Sequence, residues 1–297
     1  IGTTLIAAAG VTPDSSKYLA CTSQKVLRST YTNLTNLPNG MTATYRTTPS
    51  STLTQNGASN GSGTIILTAP GASVDQVYKS TDSGATWSYA TIGSSSKVWN
   101  DVVWMGGSVN KFVATAQSSN TIHGYSSDGI TWTTATTLAT KIWTSIAVNN
   151  AGTAVIAVCQ EDGTTYKSTN GTSFSAVGTL GSAGAVDKYV TWFNGAGLFV
   201  VVEHASMQYW TSTDGTTWTL RTLPAKVPYA YAGSTTNRSV FCTDNTLFIL
   251  GNGNGPAGSM FKTTDGINWT RMSLSPGNPF SVGPTTVANR EIGRAHV

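Results

Sequence analysis

STDSGATW, running from Ser80 to Trp87, is the stretch whose reading decides the fold, because weaker copies of it return down the chain. They are SSDGITW from Ser126, STNGTSF from Ser168, STDGTTW from Ser212 and TTDGINW from Thr263. The marker Asp or Asn stands at positions 82, 128, 170, 214 and 265, at intervals of 46, 42, 44 and 51 residues. A period of that size is the length of one four-stranded propeller blade. The sequence therefore predicts an all-β fold, a β-propeller of four-stranded antiparallel blades.

Each copy has its own local logic. An aromatic closes the incoming strand (Tyr78, Tyr125, Tyr166, Trp210, Phe261), and a Ser/Thr pair then leads into the marker residue. Asp82, Asp128, Asn170, Asp214 and Asp265 each offer a side-chain oxygen that can accept amide protons of the turn. Gly follows because such turns need positive φ. Next comes a large apolar anchor, Trp87, Trp132, Phe174, Trp218 or Trp269, able to lock the hairpin against its own blade or the next. Asn170 keeps the oxygen without the charge, so the position asks for hydrogen bonding rather than ionisation. The markers read as turn formers, not catalysts.

These motifs resemble the Asp-box, or BNR, repeat of sialidases, other glycoside hydrolases, sorting receptors and phage tail proteins. The resemblance spans roughly residues 20 to 275, with four copies one residue shorter than the usual Ser-x-Asp-x-Gly-x-Thr-Trp. A degenerate sixth copy at VLRSTYTNLTNL from Val26 keeps Ser29 and Thr30 but has no Asp. Placing each motif between the third and fourth strands gives six blades. Blade 1 runs up to Leu37, blade 2 from Met41 to Ile92, blade 3 from Lys97 to Leu138, and blade 4 from Lys141 to Leu180. Blade 5 spans Val186 to Leu223, and blade 6 Tyr229 to Leu274. Residues 280 to 288 are either a closing strand for blade 1 or the opening of a seventh blade. The domain reading is a single propeller over residues 1–290, with 291–297 set aside as a non-native tail, since IGRAHV from Ile292 looks like a translated sequencing adapter.

Composition narrows the function classes. Charged residues are only 10% of the chain and the formal net charge is +4, with no Lys/Arg run or basic stripe, so no nucleic-acid partner is expected. No apolar stretch approaches membrane-spanning length, so no membrane insertion is expected. Three cysteines, Cys21, Cys159 and Cys242, read as buried thiols. His123 and His204 have no zinc spacing and no phosphate cradle precedes a helix, so no metal and no cofactor is called.

Propeller connectivity puts candidate chemistry away from the motif turns, on the connections between second and third strands and between blades. From there Tyr45, Trp99, Asp101, Trp143, Asp187, Tyr189 and Tyr229 are the candidate ligand-binding residues, either as an exposed ring of aromatics and carboxylates suited to sugar faces and hydroxyls, or with the rings packed between blades instead. Glycoside hydrolysis would need two carboxylates flanking the scissile bond, for which Asp162 and Glu203 are the candidate pair and Asp101 with Asp187 a wider one. The three-arginine clamp that the sialidase resemblance implies is not found, since Arg221 and Arg271 fall on outer strands and Arg28 on a third strand. The resemblance implies an extracellular or virion-surface binding module, with a glycan or a surface protein as partner. A glycoside hydrolase and a structural or assembly propeller remain the alternatives.

Overall fold

The structure, a computed structural model, describes residues 56–68, 75–93, 96–116, 121–159, 162–181, 188–203, 206, 208–224, 240–242, 245–250 and 260–272. Blade 1, Cys21, Tyr45, Glu161, Asp187, His204, Tyr229 and the tail lie outside the described residues.

Twenty strands in these segments form five four-stranded sheets, each with its strands side by side in chain order and every pair antiparallel. Blade 2 holds β1 (Asn56–Ser59), β2 (Ile65–Thr68), β3 (Gln76–Ser80) and β4 (Ser88–Thr91). Blade 3 holds β5 (Trp99–Met105), β6 (Lys111–Ala116), β7 (His123–Ser126) and β8 (Thr133–Ala135). Blade 4 follows with β9 (Trp143–Val148), β10 (Val155–Cys159), β11 (Thr164–Ser168) and β12 (Ser175–Thr179). Blade 5 has β13 (Lys188–Phe193), β14 (Leu198–Glu203), β15 (Gln208–Ser212) and β16 (Thr219–Thr222). Blade 6 has β17 (Val240–Cys242), β18 (Leu247–Leu250), β19 (Met260–Thr263) and β20 (Thr270–Met272). Among the described residues the one helical element is a single 3-10 turn at Asn194–Ala196, between β13 and β14.

The second strand of each sheet is the most apolar because it is covered on both faces. β10 is buried at every position, and β6 and β14 at all but their first. The fourth strands are wet: β12, SAVGT, has no buried residue. Polar residues there leave an outer edge, while Val, Ile and Phe in the second strands fill the spaces between sheets.

Those spaces are four successive cores. Ile66 and Ile92 of blade 2 pack with Trp99 and Phe112 of blade 3, and Met105 and Val113 of blade 3 with Trp143 and Val155 of blade 4. Ile156 and Val158 meet Phe199 and Val201 of blade 5, and Phe193 and Val200 meet Leu247 and Ile249 of blade 6. Each such side chain removed from water contributes about 1.5–3 kcal/mol.

The motif turn joins the third and fourth strands of every sheet and closes these cores. Its aromatic reaches back to the sheet before: Trp132 packs on the Ile66 core, Phe174 on the Val113 core, Trp218 on the Ile156 core and Trp269 on the Phe193 core. Its glycine does the same. Gly215 has φ +72, and a Cβ there would overlap Ile156 Cδ1 and lie 3.0 Å from Ile156 Cγ1. Gly129, Gly171 and Gly266 stand in the same relation to Ile66, Val113 and Leu198 of their preceding blades, at 2.9, 3.0 and 2.9 Å. The glycine is needed twice, for the left-handed backbone and for the close approach of a neighbouring sheet.

A series of polar bonds joins first strands of neighbouring sheets. Asn56 donates through Nδ2 to the Asn100 carbonyl at 2.7 Å. Asp101 Oδ2 accepts from the Ile146 amide at 2.7 Å, and the Ser145 hydroxyl and the Val190 backbone bond at 3.2 Å. All are buried, where an unpaired amide or carbonyl is costly.

Candidate functional site

The two ends of each sheet differ chemically. At one end lie the motif turns, with the connections between first and second strands. At the other lie the connections between second and third strands and those between blades, where the sequence places its candidates.

In the motif turns the markers are occupied by their own backbone. Asp128 Oδ1 accepts from the amides of Ile130 and Thr131, both at 2.8 Å, while the Ser126 hydroxyl donates to it at 2.9 Å and accepts from the Gly129 amide at 2.9 Å. Asp214 repeats this with Thr216, Thr217 and Ser212, and Asp265 with Ile267, Asn268 and Thr263. Asn170 Oδ1 takes the same amides, from Thr172 at 2.9 Å and Ser173 at 3.0 Å. Asp82, in the longer copy, accepts from the Thr86 amide and hydroxyl, and with Ser80 these hold its carboxyl down at about 2. The amides of Asn268 and Ile267 hold Asp265 well below the usual carboxylate range, and those of Thr216 and Thr217 lower Asp214.

At the opposite end the three candidate rings that can be placed are corrections to the expected exposed ring. Trp99 is 2% exposed, Trp143 0% and Tyr189 3%. Trp99 lies in the core between blades 2 and 3. Trp143 lies in the core between blades 3 and 4, with its ring edge-on to Tyr166 and its Nε1 donating to the Ala139 carbonyl. The match between KVWNDV and KIWTSI marks a packing position: both tryptophans start a first strand, whose inward face is wedged between sheets. Asp101 is buried too, its carboxylate shared between the amides of Val102 and Ile146, so it joins two blades rather than facing a ligand. Tyr45, Asp187 and Tyr229 lie outside the described residues.

The candidate carboxylate pair is likewise engaged. Asp162 Oδ2 takes the Lys141 ammonium at 2.8 Å, and Oδ1 takes the amide and hydroxyl of Thr164 at 2.9 and 2.6 Å. Burial works to raise this carboxyl, but Lys141 and Thr164 outweigh it and hold the group well below the usual range. A general acid needs the opposite displacement. Glu203 pairs with Lys188 at 3.1 Å, the lysine side chain fully buried and the glutamate 6% exposed. Lys188 opens β13 and Glu203 closes β14, and the two are partners across that ladder. Their neighbours from blade 4 are glycines: a Cβ at Gly163 would come within 2.9 Å of Lys188 Cε, and one at Gly181 within 2.7 Å of Glu203 Oε1. The sheet edge can therefore close over the pair only where there is no side chain.

Asp75 completes the picture, with its two oxygens accepting from the amides of Ser96 and Lys97 at 2.8 and 2.9 Å and clamping the connection to blade 3. With Asp75, Asp82, Asp101, Asp128, Asp162, Glu203, Asp214 and Asp265 accounted for, every carboxylate among the described residues is bonded or ion-paired to the chain itself. Lys141 and Lys188, which decide the state of Asp162 and Glu203, were missed by sequence reasoning. The available signal for Lys188 was its register opposite Glu203 once β13 and β14 were paired.

His123 is a further titratable group in a core position. It is fully buried on β7 and meets the Phe174 ring of the blade 4 motif turn edge-on, with centroids 4.9 Å apart. Burial pushes its imidazole down to about 4, opposed by the backbone of Thr172. Among the described residues no group of three or more His, Cys, Asp or Glu side chains could hold a metal ion. Nor is any helix there long and apolar enough to cross a membrane. Cys159 is a buried thiol, not disulfide-bonded, in the core between blades 3 and 4.

No family model matches the chain, and no curated protein matches it. Solved structures do. A catalytically inactive virginiamycin B lyase from Staphylococcus aureus, solved with quinupristin, is similar with a TM-score of 0.58 and 9% identity over 78% of this chain and 73% of that one. An ancestral GH74 enzyme gives a TM-score of 0.53 and 17% identity over 74% of this chain and 31% of that one. The GH74 xyloglucanase from Xanthomonas campestris gives 0.52 and 13% over 74% and 38%. The chain thus spans about a third of the length of these two enzymes. The sheets and these likenesses together make the fold a β-propeller.

Proposed function

We propose that this chain is a six-bladed Asp-box propeller that binds rather than catalyses, working outside the cell or on a virion surface. The one observation that carries the non-catalytic reading is the engagement of both candidate carboxylates, Asp162 by Lys141 and Glu203 by the buried Lys188. Residues so held lack the free acid and base pair that glycoside hydrolysis requires. The ligand class is a glycan, in keeping with the motif resemblance, and a polysaccharide panel including xyloglucan is the first to try because one similar structure is a xyloglucanase. Tyr45, Asp187 and Tyr229 keep their candidate binding roles. A surface protein is the second reading, favoured by the burial of Trp99, Trp143 and Tyr189, which removes three rings from any sugar-stacking surface.

The test combines a glycan array with a panel of chromogenic glycosides, run on the intact chain and on Asp162→Asn and Glu203→Gln. Binding without turnover is the expected outcome. Turnover abolished by either substitution in a folded variant would overturn the binding reading, and an array without hits would move the partner class to protein.

A further inference from the structure

We infer that Asn194 is a site of spontaneous covalent modification, the Asn-Gly step at which the folded chain loses an amide before its other described steps do. Seven Asn-Gly steps occur in the sequence, at Asn39, Asn56, Asn60, Asn170, Asn194, Asn252 and Asn254, and those at Asn56, Asn60, Asn170 and Asn194 lie among the described residues. The reaction at such a step is intramolecular. The backbone nitrogen of the glycine attacks the Asn Cγ, the new C–N bond closes a succinimide, and the side-chain nitrogen leaves as ammonia. Water then opens the ring. Addition at Cγ gives aspartate, and addition at the main-chain carbonyl gives isoaspartate with the peptide running through Cγ. The sum is an amide plus water giving a carboxylate plus ammonium, with no oxidant or partner needed.

Two things gate the attack: the glycine N–H must be free, and the Asn amide must be able to swing toward it. Three of the four steps fail. Asn170 Oδ1 holds two turn amides, and the Gly171 amide is tied to Ser168 Oγ at 2.9 Å. Asn60 Oδ1 accepts from the Ser62 and Thr64 amides at 2.8 and 3.1 Å, and the Gly61 amide donates to Ser59 Oγ at 3.2 Å. Asn56 is buried in β1 with its Nδ2 bonded to the Asn100 carbonyl.

Asn194 is different on each count. Both Asn194 and Gly195 are exposed, and among the described residues neither the Asn194 side chain nor the Gly195 amide has a partner. They open the 3-10 turn, where the first amides have no acceptor of their own. That turn is held through the Asn194 carbonyl by one bond, from the Gly197 amide at 3.1 Å. Reaching the geometry for ring closure costs one exposed hydrogen bond here and several at Asn60 or Asn170. One lost bond of typical strength corresponds to about a tenfold difference in rate. The product lowers the formal net charge from +4 by one unit, and the isoaspartate form also lengthens the main chain between β13 and β14.

Peptide mapping by mass spectrometry, resolving aspartate from isoaspartate, follows the four steps in the intact chain held at mildly alkaline pH. The expected result is conversion at Asn194 at least about tenfold faster than at Asn56, Asn60 or Asn170, and convergence of the four rates in concentrated urea. Gly195→Ala, which crowds the attacking nitrogen, should suppress the Asn194 product in both conditions. Conversion at Asn60 or Asn170 in the folded chain as fast as at Asn194 would overturn the inference, as would a folded chain in which Asn194 does not lead.

Discussion

Replacing Gly215 by Ala tests whether the motif turn is a local hairpin or a clamp between blades, because the same substitution at Gly84 supplies the control. Both glycines have left-handed backbones, with φ +72 and +86, so each alanine carries the Cβ penalty of that region, about 1–2 kcal/mol. They differ in what the Cβ meets. At Gly84 its nearest neighbours among the described residues, Ile65 Cδ1 and Trp87 Cζ2, stand at 3.6 Å, an ordinary contact. At Gly215 it runs into Ile156, a fully buried side chain of blade 4, and forcing a methyl into such a core adds about 1–3 kcal/mol. The expected losses are therefore about 1–2 kcal/mol for Gly84→Ala and about 2–5 kcal/mol for Gly215→Ala. Equilibrium urea unfolding, read as a shift in midpoint at constant m, measures both. Equal losses in the two variants would refute the claim that the turn glycine is pressed against the preceding blade.

Further outcomes follow from the same packing. Folded His123 titrates at about 4 rather than 6.5, so the neutral ring is what the core accepts. Stability is then complete above about pH 6.5 and falls as pH drops toward 4, by about 3 kcal/mol. His123→Phe should flatten that limb of a pH series of thermal melts, and an unchanged slope would count against it. Lys188→Met strands the Glu203 charge and should cost about 3–5 kcal/mol, whereas the double change Lys188→Met with Glu203→Leu should recover most of that in denaturant titrations. Asp101→Ala leaves the Ile146 amide buried without an acceptor and should cost about 1–3 kcal/mol, while Asp101→Asn keeps an oxygen in place and should cost less. In an array assay Trp143→Phe should leave ligand binding unchanged, since the ring faces the core.

The strands were legible because a β period is local. Alternating or continuous apolar runs such as AVIAVC and LFVVVE announce second strands, and Asp-Gly or Asn-Gly before an aromatic announces a turn whether or not the rest of the chain is known. The candidate site was less legible. Trp99, Asp101, Trp143 and Tyr189 carry the residue types of a binding surface, and the direction of a side chain at the start of a first strand depends on the neighbouring sheet. That neighbour lies some 45 residues away, as the Asp101 to Ile146 bond illustrates.

The sequence by itself determined the repeat, the four-stranded unit and the hydrogen-bonding chemistry of the turn markers, because each depends on residues within a few positions of one another. Tertiary structure alone decided which polar and aromatic groups are available. Burial and pairing are properties of the space between blades: it turned two tryptophans into core, Asp101 into a bridge, and Glu203 into the partner of a lysine sealed beneath two glycines.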